Sequence, residues 1–335
     1  MPISSACKKL LEQGREHSPL YANRLANHLP MALIALDRMG ADAAVMQSFA
    51  DRYRRRLRTV PDEPGYVDPR EYLGSGEHYP EIARFFRRRI EDAGTGEVLR
   101  EWVPLLLPGL AASAFHSMIR LAYAVDADDQ QDIPLALAYW ATEYAPIPLS
   151  MDTTDATLAA VAAHLSLETS GHIFGPGIII DKMLEIAQHP ALAHAAVLPA
   201  QDLTLNDVAQ FALSVYVDHE DFTLLHLVTG CHALRQLLPY AGDTQLALRY
   251  LWHAVLAAYL TVPRPAPASA APVDCAIPAD LIPGLACAAG DDHVIKLCYS
   301  ALCEYREYGD ERYLHAAGRK LASAGLAPQQ SARPG

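Results

Sequence analysis

The chain has 335 residues, 51% hydrophobic and 20% charged, with a formal net charge of −12. That length can bury a large core, as one big helical domain or two ordinary ones. The negative charge argues against a general nucleic-acid binder, because neutralising phosphates takes a basic surface.

The first residues, MPISSACKKLLEQGREHSPL, hold no apolar signal core. Runs such as VPLLLPGLAASAF are too short or too interrupted to span a bilayer, so a cytoplasmic protein with no membrane partner is expected. Cys7, Cys231, Cys275, Cys287, Cys298 and Cys303 are scattered without a CxxC pair, which favours reduced core thiols over a disulfide frame or a zinc site.

Helical periodicity dominates the chain and no stretch alternates with period two over six residues. Helices are predicted near 5–13, 21–38, 42–57, 79–92, 95–101, 104–125, 132–144, 154–166, 177–187, 204–217, 221–237, 243–261, 277–288, 291–307 and 310–323. Asp42, Asp132 and Asp221 stand where a carboxylate can cap a first turn. The one short strand candidate, GIIID at 177–181, runs straight into KMLEIAQ and reads better as a helix start. Residues 59–78 and 262–279, rich in Pro with Gly and acid or with Ala, are expected as surface loops, and 326–335 as a flexible tail. The expected fold is all-α: a single domain over 1–325 with orthogonally packed helices around a buried pocket.

Several residues in apolar settings could carry chemistry. His28 precedes Pro30 and so falls at or just before a helix start. His116 lies in LPGLAASAFHSMIRLAYAV, where small residues let a backbone or a planar ligand approach closely. His226 and His232 lie in FTLLHLVTGCHALR. Six residues on a straight helix leave two side chains about 120° apart and roughly 9 Å along the axis, too far for one metal. Either the helix is distorted, which Thr229-Gly230 would permit, or the two histidines reach different sides of a site. Each histidine alone reads as a hydrogen-bonded core residue; four together favour a metal, because neutral imidazole ligates without the desolvation cost of a charge. Lys296 lies beside a buried stripe with His293, Tyr299, Ser300 and Cys303, either solvated or buried and reactive. The arginine runs DRYRRRLR and RFFRRRIED are solvated faces or, as the sharper option, an anion site. No GxGxxG, P-loop, GxSxG elbow or ExxH signature is found.

NHLPMALIALDRMGA (27–41), PGLAASAFHSMIRLAYAV (108–125), HLVTGCHALR (226–235) and HVIKLCYSALCEYREYGDERYL (293–314) together resemble the questin oxidase-like family, over nearly the whole chain. Its fungal members are similar to catalysts that open anthraquinone rings by Baeyer–Villiger-type or dioxygenase-type chemistry. The resemblance implies a non-haem Fe²⁺ site of His28, His116, His226, His232 and a carboxylated Lys296, with His253 in reserve. It further implies a hydrophobic aromatic or polyketide-like substrate, and NADPH as electron donor with no flavin motif. Arg120 and Arg235 follow candidate ligands by three or four residues and could orient a phenolate or peroxide oxygen, or form salt bridges. Two other readings of the same residues stay open: a helical protein that binds a hydrophobic ligand without catalysis, and a zinc-dependent hydrolase.

Overall fold

The computed structural model describes residues 2–60, 65–263 and 277–326. Among these residues the chain forms fifteen α-helices. They are α1 (Ser5–Gly14), α2 (Leu29–Arg38), α3 (Ala43–Arg54), α4 (Tyr79–Ala93), α5 (Thr95–Leu106), α6 (His116–Asp126), α7 (Ile133–Thr142) and α8 (Leu158–Glu168), followed by α9 (Ile179–Ala187), α10 (Leu205–His219), α11 (Phe222–Leu237), α12 (Thr244–Leu260), α13 (Ile282–Cys287), α14 (Asp292–Tyr308) and α15 (Arg312–Ser323). Two sheets of two residues per strand accompany them: antiparallel β1 (Leu20–Tyr21) with β2 (Leu25–Ala26), and parallel β3 (Thr153–Thr154) with β4 (Leu198–Pro199). The fold is all-α, as expected. No described helix is long and apolar enough to cross a membrane.

A side-chain cap marks seven of the fifteen described helix starts. Asp42 and Asp221 accept first-turn N–H groups, as their positions suggest. Asp132 precedes α7 but makes no cap bond; its carboxylate turns to Arg120 instead, with Nη2 2.6 Å from Oδ1. The helix expected over 21–38 begins only at Leu29. Ala22 and Arg24 take φ values of 46° and 59°, which a right-handed helix cannot contain, and the chain makes the β1–β2 hairpin there.

The helix expected over 104–125 is broken as well. Leu107–Gly109 tighten into a 3₁₀ turn, and Ser113, Ala114 and Phe115 follow with φ of 50°, 55° and 68°. Three successive non-glycine residues in the left-handed region are costly, at about 1–2 kcal/mol each. Tertiary packing holds the turn. A Cβ on Gly109 would lie 2.5 Å from the Tyr144 ring, and Trp140 Nε1 donates to the Gly109 carbonyl at 3.0 Å.

The 59–78 stretch carries two short 3₁₀ turns, Pro69–Glu71 and Gly76–His78, while residues 61–64 lie outside the described residues. So do 264–276, most of the second expected loop, and 327–335 of the expected tail. The described cysteines are free thiols.

One contiguous apolar core runs through the described helices, and all ten residues of α7 are buried. Within it α11 packs on both α6 and α14, and α2 also packs on both α6 and α14. These four helices close a ring. Every residue of α11 from Leu224 to Leu234 is buried, histidines included.

The strained turn gives a direct test. Ala114→Gly should change stability by less than about 0.5 kcal/mol, since relief of left-handed strain offsets the greater freedom of the unfolded chain. Ala122→Gly, in the interior of α6, should cost about 1 kcal/mol or more. Urea midpoints of the two variants decide it; equal losses would mean that residue 114 is not in the left-handed region.

Candidate metal centre

Each helix of the ring brings one histidine from its N-terminal end. His28 is the N-cap residue of α2, just ahead of Pro30, and its backbone N–H donates to the Tyr53 hydroxyl at 2.9 Å. His116 is the first residue of α6, delivered by the left-handed turn. His226 lies in the second turn of α11, and His293 is the second residue of α14. The rings touch. His28 stacks on His116 at 4.4 Å between centroids, and His28–His293, His116–His226 and His226–His293 lie at 4.6, 4.6 and 5.5 Å. One ligand atom each from His28, His116 and His293 falls within 4.8 Å of the others.

The hydrogen bonds decide which nitrogen is free. His116 Nδ1 lies 2.6 Å from the Ser113 carbonyl, and His226 Nδ1 lies 2.9 Å from the Phe222 carbonyl. A carbonyl only accepts, so each ring donates from Nδ1 and leaves a lone pair on Nε2. These two Nε2 atoms face each other at 3.2 Å. Lone pair against lone pair repels, and burial opposes relief by protonation. Desolvation first, then the Lys296 charge, lowers His226 to about 3, and His116 falls well below the usual imidazole value, through burial and then the neighbouring His28 and Lys296. A shared cation removes the conflict: 3.2 Å separates two nitrogens each about 2.1 Å from one ion, at an angle of about 100°.

The other two rings follow the same pattern. His28 Nδ1 meets the Asp292 carboxylate in a short contact, and His293 Nδ1 stands 3.4 Å from the same carboxylate oxygen. The Nε2 atoms of His28 and His293 are buried without a hydrogen-bond partner. Asp292, 8% exposed, thus orients the His28 imidazole from behind, as carboxylates do behind metal-bound histidines, and stands close to His293. Burial, with Lys296 next, lowers both rings far below the usual value.

Lys296 lies three residues after His293 and is 1% exposed. Burial lowers its ammonium to about 8 against the opposing pull of Asp292 and Asp291. Its charge acts on all four rings. Phe222, half exposed, lays its ring against His293 and His226 at 4.6 and 5.0 Å and is the group on the solvent side of the cluster.

Not every sequence candidate sits here. α11 runs unbroken through Thr229 and Gly230, so His226 and His232 keep their helical separation. Gly230 serves a close approach: a Cβ there would lie 3.1 Å from the Phe115 ring. His232 pairs with Glu304 instead, Nδ1 to Oε1 at 2.9 Å. Arg235 grips that same Glu304 and also Glu307. Arg120 forms a buried pair with Asp132, both under 4% exposed in their side chains. His253 is buried on α12, and burial, partly offset by the Ser150 backbone, lowers it to about 4. His293 and Asp292 are the members that sequence reasoning did not assign. The signal was there in DDHVIK, which puts Asp292, His293 and Lys296 within one helical turn.

The fold and site define an all-α protein with a four-histidine, carboxylate-backed cluster at the centre of a helix ring. The chain belongs to the questin oxidase-like family, whose sequence profile matches residues 25–301. That span includes every member of the cluster. No curated protein matches the chain.

Two outcomes are expected. Asp132→Ala should cost about 3–5 kcal/mol, because it strands the Arg120 charge in the core, and Arg120→Met added to it should recover much of the loss; chemical denaturation of both variants measures this. His253 has a folded pKa below its unfolded value, so its share of stability is complete above about pH 6.5 and is lost as pH falls toward about 4. His253→Leu should therefore lose about 2–3 kcal/mol less than wild type between pH 7 and pH 4.5, measured as the difference in unfolding free energy; parallel pH profiles would contradict it.

Proposed function

We propose that this chain is an oxidoreductase whose chemistry runs at a metal ion held by His28, His116, His226 and His293. The observation that carries the reading is the facing pair of Nε2 atoms, 3.2 Å apart, on rings whose Nδ1 atoms are already committed to carbonyls. Membership in a family described as questin oxidase-like supports an oxidase-type activity. Iron is the metal to expect, since imidazole suits it and open positions beside a partial ligand set suit oxygen chemistry. When bound, Fe²⁺ would supply the activation of dioxygen toward an organic substrate.

The residues around the cluster have definable work. Asp292 holds the His28 ring in orientation and sets its negative charge beside His293. Four neutral imidazoles leave the full charge of a divalent ion, so an anionic ligand is needed. Lys296, buried and with its ammonium form disfavoured, would supply one if its amine takes up carbon dioxide as a carbamate, releasing a proton. Phe222 offers an apolar, aromatic surface at the solvent side, which suits a hydrophobic or aromatic substrate and limits water. Zinc chemistry with the same ligands, and ligand binding without a metal, are the outcomes the test separates.

Elemental analysis of tag-free protein, purified from iron-supplied cells, provides that test. Near-stoichiometric iron is expected, with loss in His226→Ala and in His293→Ala, and retention in His253→Leu. Zinc would transfer the site to hydrolysis. Folded protein without metal would remove the metal centre and leave a binding cluster. With iron present, oxygen uptake should first be tried with aromatic substrates and NADPH as reductant.

A further inference from the structure

The arginine run DRYRRRLR ends at a cavity. Arg52 bonds the Ser48 hydroxyl, and Arg54 reaches the Leu10 carbonyl and Gln13. Arg58, exposed at the end of the run, has no ion pair and no side-chain hydrogen bond among the described residues. It lines a cleft of about 450 Å³ between the β1–β2 hairpin, residues 58–60 and the start of α4. Arg24 lines the same cleft from the hairpin, and Ser18 and Thr59 bring hydroxyls to it. Tyr21, Val60 and Pro80 give it apolar wall. On a chain of net charge −12, this lining carries two arginines against one carboxylate, Glu77. The Glu77 side chain is 84% exposed, so water screens much of its charge.

The walls are tied together before any guest arrives. The Ser18 N–H donates to the Arg58 carbonyl and the Val60 N–H to the Glu16 carbonyl, both at 2.8 Å, and His17 bridges Thr59. Arg24 sits at φ 59°, a left-handed position that a non-glycine residue keeps only where its surroundings hold it. Its guanidinium is half used. Nη1 meets both Asp181 oxygens, at 2.9 and 3.2 Å, while Nε and Nη2 have no partner among the described residues. Ser18 Oγ accepts from the Leu20 N–H at 3.2 Å, and its own O–H has no acceptor there either. One cavity is thus bordered by two guanidiniums and a hydroxyl that still have protons to give. The group that complements such a lining is an oxyanion, which only accepts and offers several lone pairs.

We propose that this cleft binds a small molecule by an oxyanion, a phosphate monoester or a carboxylate, held chiefly by Arg58 with Arg24 and Ser18 as further donors, and with an apolar part of the molecule against Tyr21, Val60 and Pro80. It is a second site, since no lining residue belongs to the histidine cluster, and it does not rest on the oxidoreductase reading. It is nevertheless joined to the cluster. Tyr21 meets the Tyr53 ring edge-on at 6.3 Å, and the Tyr53 hydroxyl accepts the His28 N–H at 2.9 Å. Guanidinium stays charged at every working pH, so the affinity follows ionic strength and hardly depends on pH through the protein.

The probes are phenyl phosphate, benzoate and inorganic phosphate, titrated calorimetrically into the full-length protein at low salt. Wild type should bind phenyl phosphate or benzoate saturably at millimolar concentration, and the tighter of the two names the oxyanion the cleft takes. Inorganic phosphate should bind more weakly than phenyl phosphate, because it leaves the apolar wall uncovered. Arg58→Gln should weaken the better probe at least about tenfold, and Arg24→Gln by about threefold, its guanidinium being shared with Asp181. Asp181→Asn frees Arg24, keeps an acceptor for the Ile178 N–H, and should tighten binding by about twofold. Arg55→Gln, exposed on the same run but outside the cleft, should bind as wild type does. The inference is overturned if neither organic probe binds saturably, or if Arg58→Gln matches wild type. It is overturned too if Arg55→Gln loses as much as Arg58→Gln, which would reduce the effect to a diffuse attraction by the run. Probe binding that is intact in protein without metal would leave the cleft standing when the metal reading falls.

Discussion

The site depends on one arrangement: four helices in a closed ring, each placing a histidine from its N-terminal end at a common point. Helix N-termini carry partial positive charge and so oppose imidazolium. Burial acts in the same direction. The cluster is therefore neutral, with lone pairs turned inward and N–H groups committed to the Ser113 and Phe222 carbonyls and the Asp292 carboxylate. The same dipoles would disfavour an unaccompanied cation. That gives Asp292, and an anionic form of Lys296 in the proposed function, an electrostatic reason to be there.

The placement of His116 is the most expensive part of this arrangement. The turn before it strings three non-glycine residues through the left-handed region. Ser113 does double service, accepting from His116 Nδ1 with its carbonyl and donating its hydroxyl to Glu143 Oε2 at 2.9 Å. Phe115 fits because position 230 on α11 is glycine, and Gly109 fits under Tyr144. Strain of this kind persists only where the surroundings over-determine it. Here α7, its following residues and α11 together do so, which ties the ring's geometry to the apolar core around it.

A second theme is how much polarity the interior tolerates when it is paired. Arg120 with Asp132, and His232 with Glu304 and Arg235, are ion pairs or charge-assisted bonds held between packed helices. Buried pairs of this type add little net stability but are severe to break. They fix the register of α6 against α7 and of α11 against α14, and so hold the helices that carry His116, His226 and His293. Each arginine thereby has a structural task close to the site, whatever further role it has.

Much was legible in the residues alone. Pro30 placed His28 at the start of α2, Asp42 and Asp221 marked first turns, and helical arithmetic put the side chains of His226 and His232 about 120° apart. Local chemistry decides such things, because caps and azimuths involve neighbours in sequence. The family resemblance pointed to the right helices and to most of the cluster. What sequence could not decide was which helix faces meet. His293 joins the cluster and His232 leaves it because α14 presents its first turn to α2 and α11, while about three turns further along it presents Glu304. The unbroken course of α11 and the broken course of residues 107–115 were likewise settled by packing: Gly230 is a seat for Phe115 and the left-handed turn is held by partners about 30 and 115 residues away in the chain. Helix propensity reads a single segment, whereas the membership of a site is set by contacts between segments, and only the tertiary structure contains those.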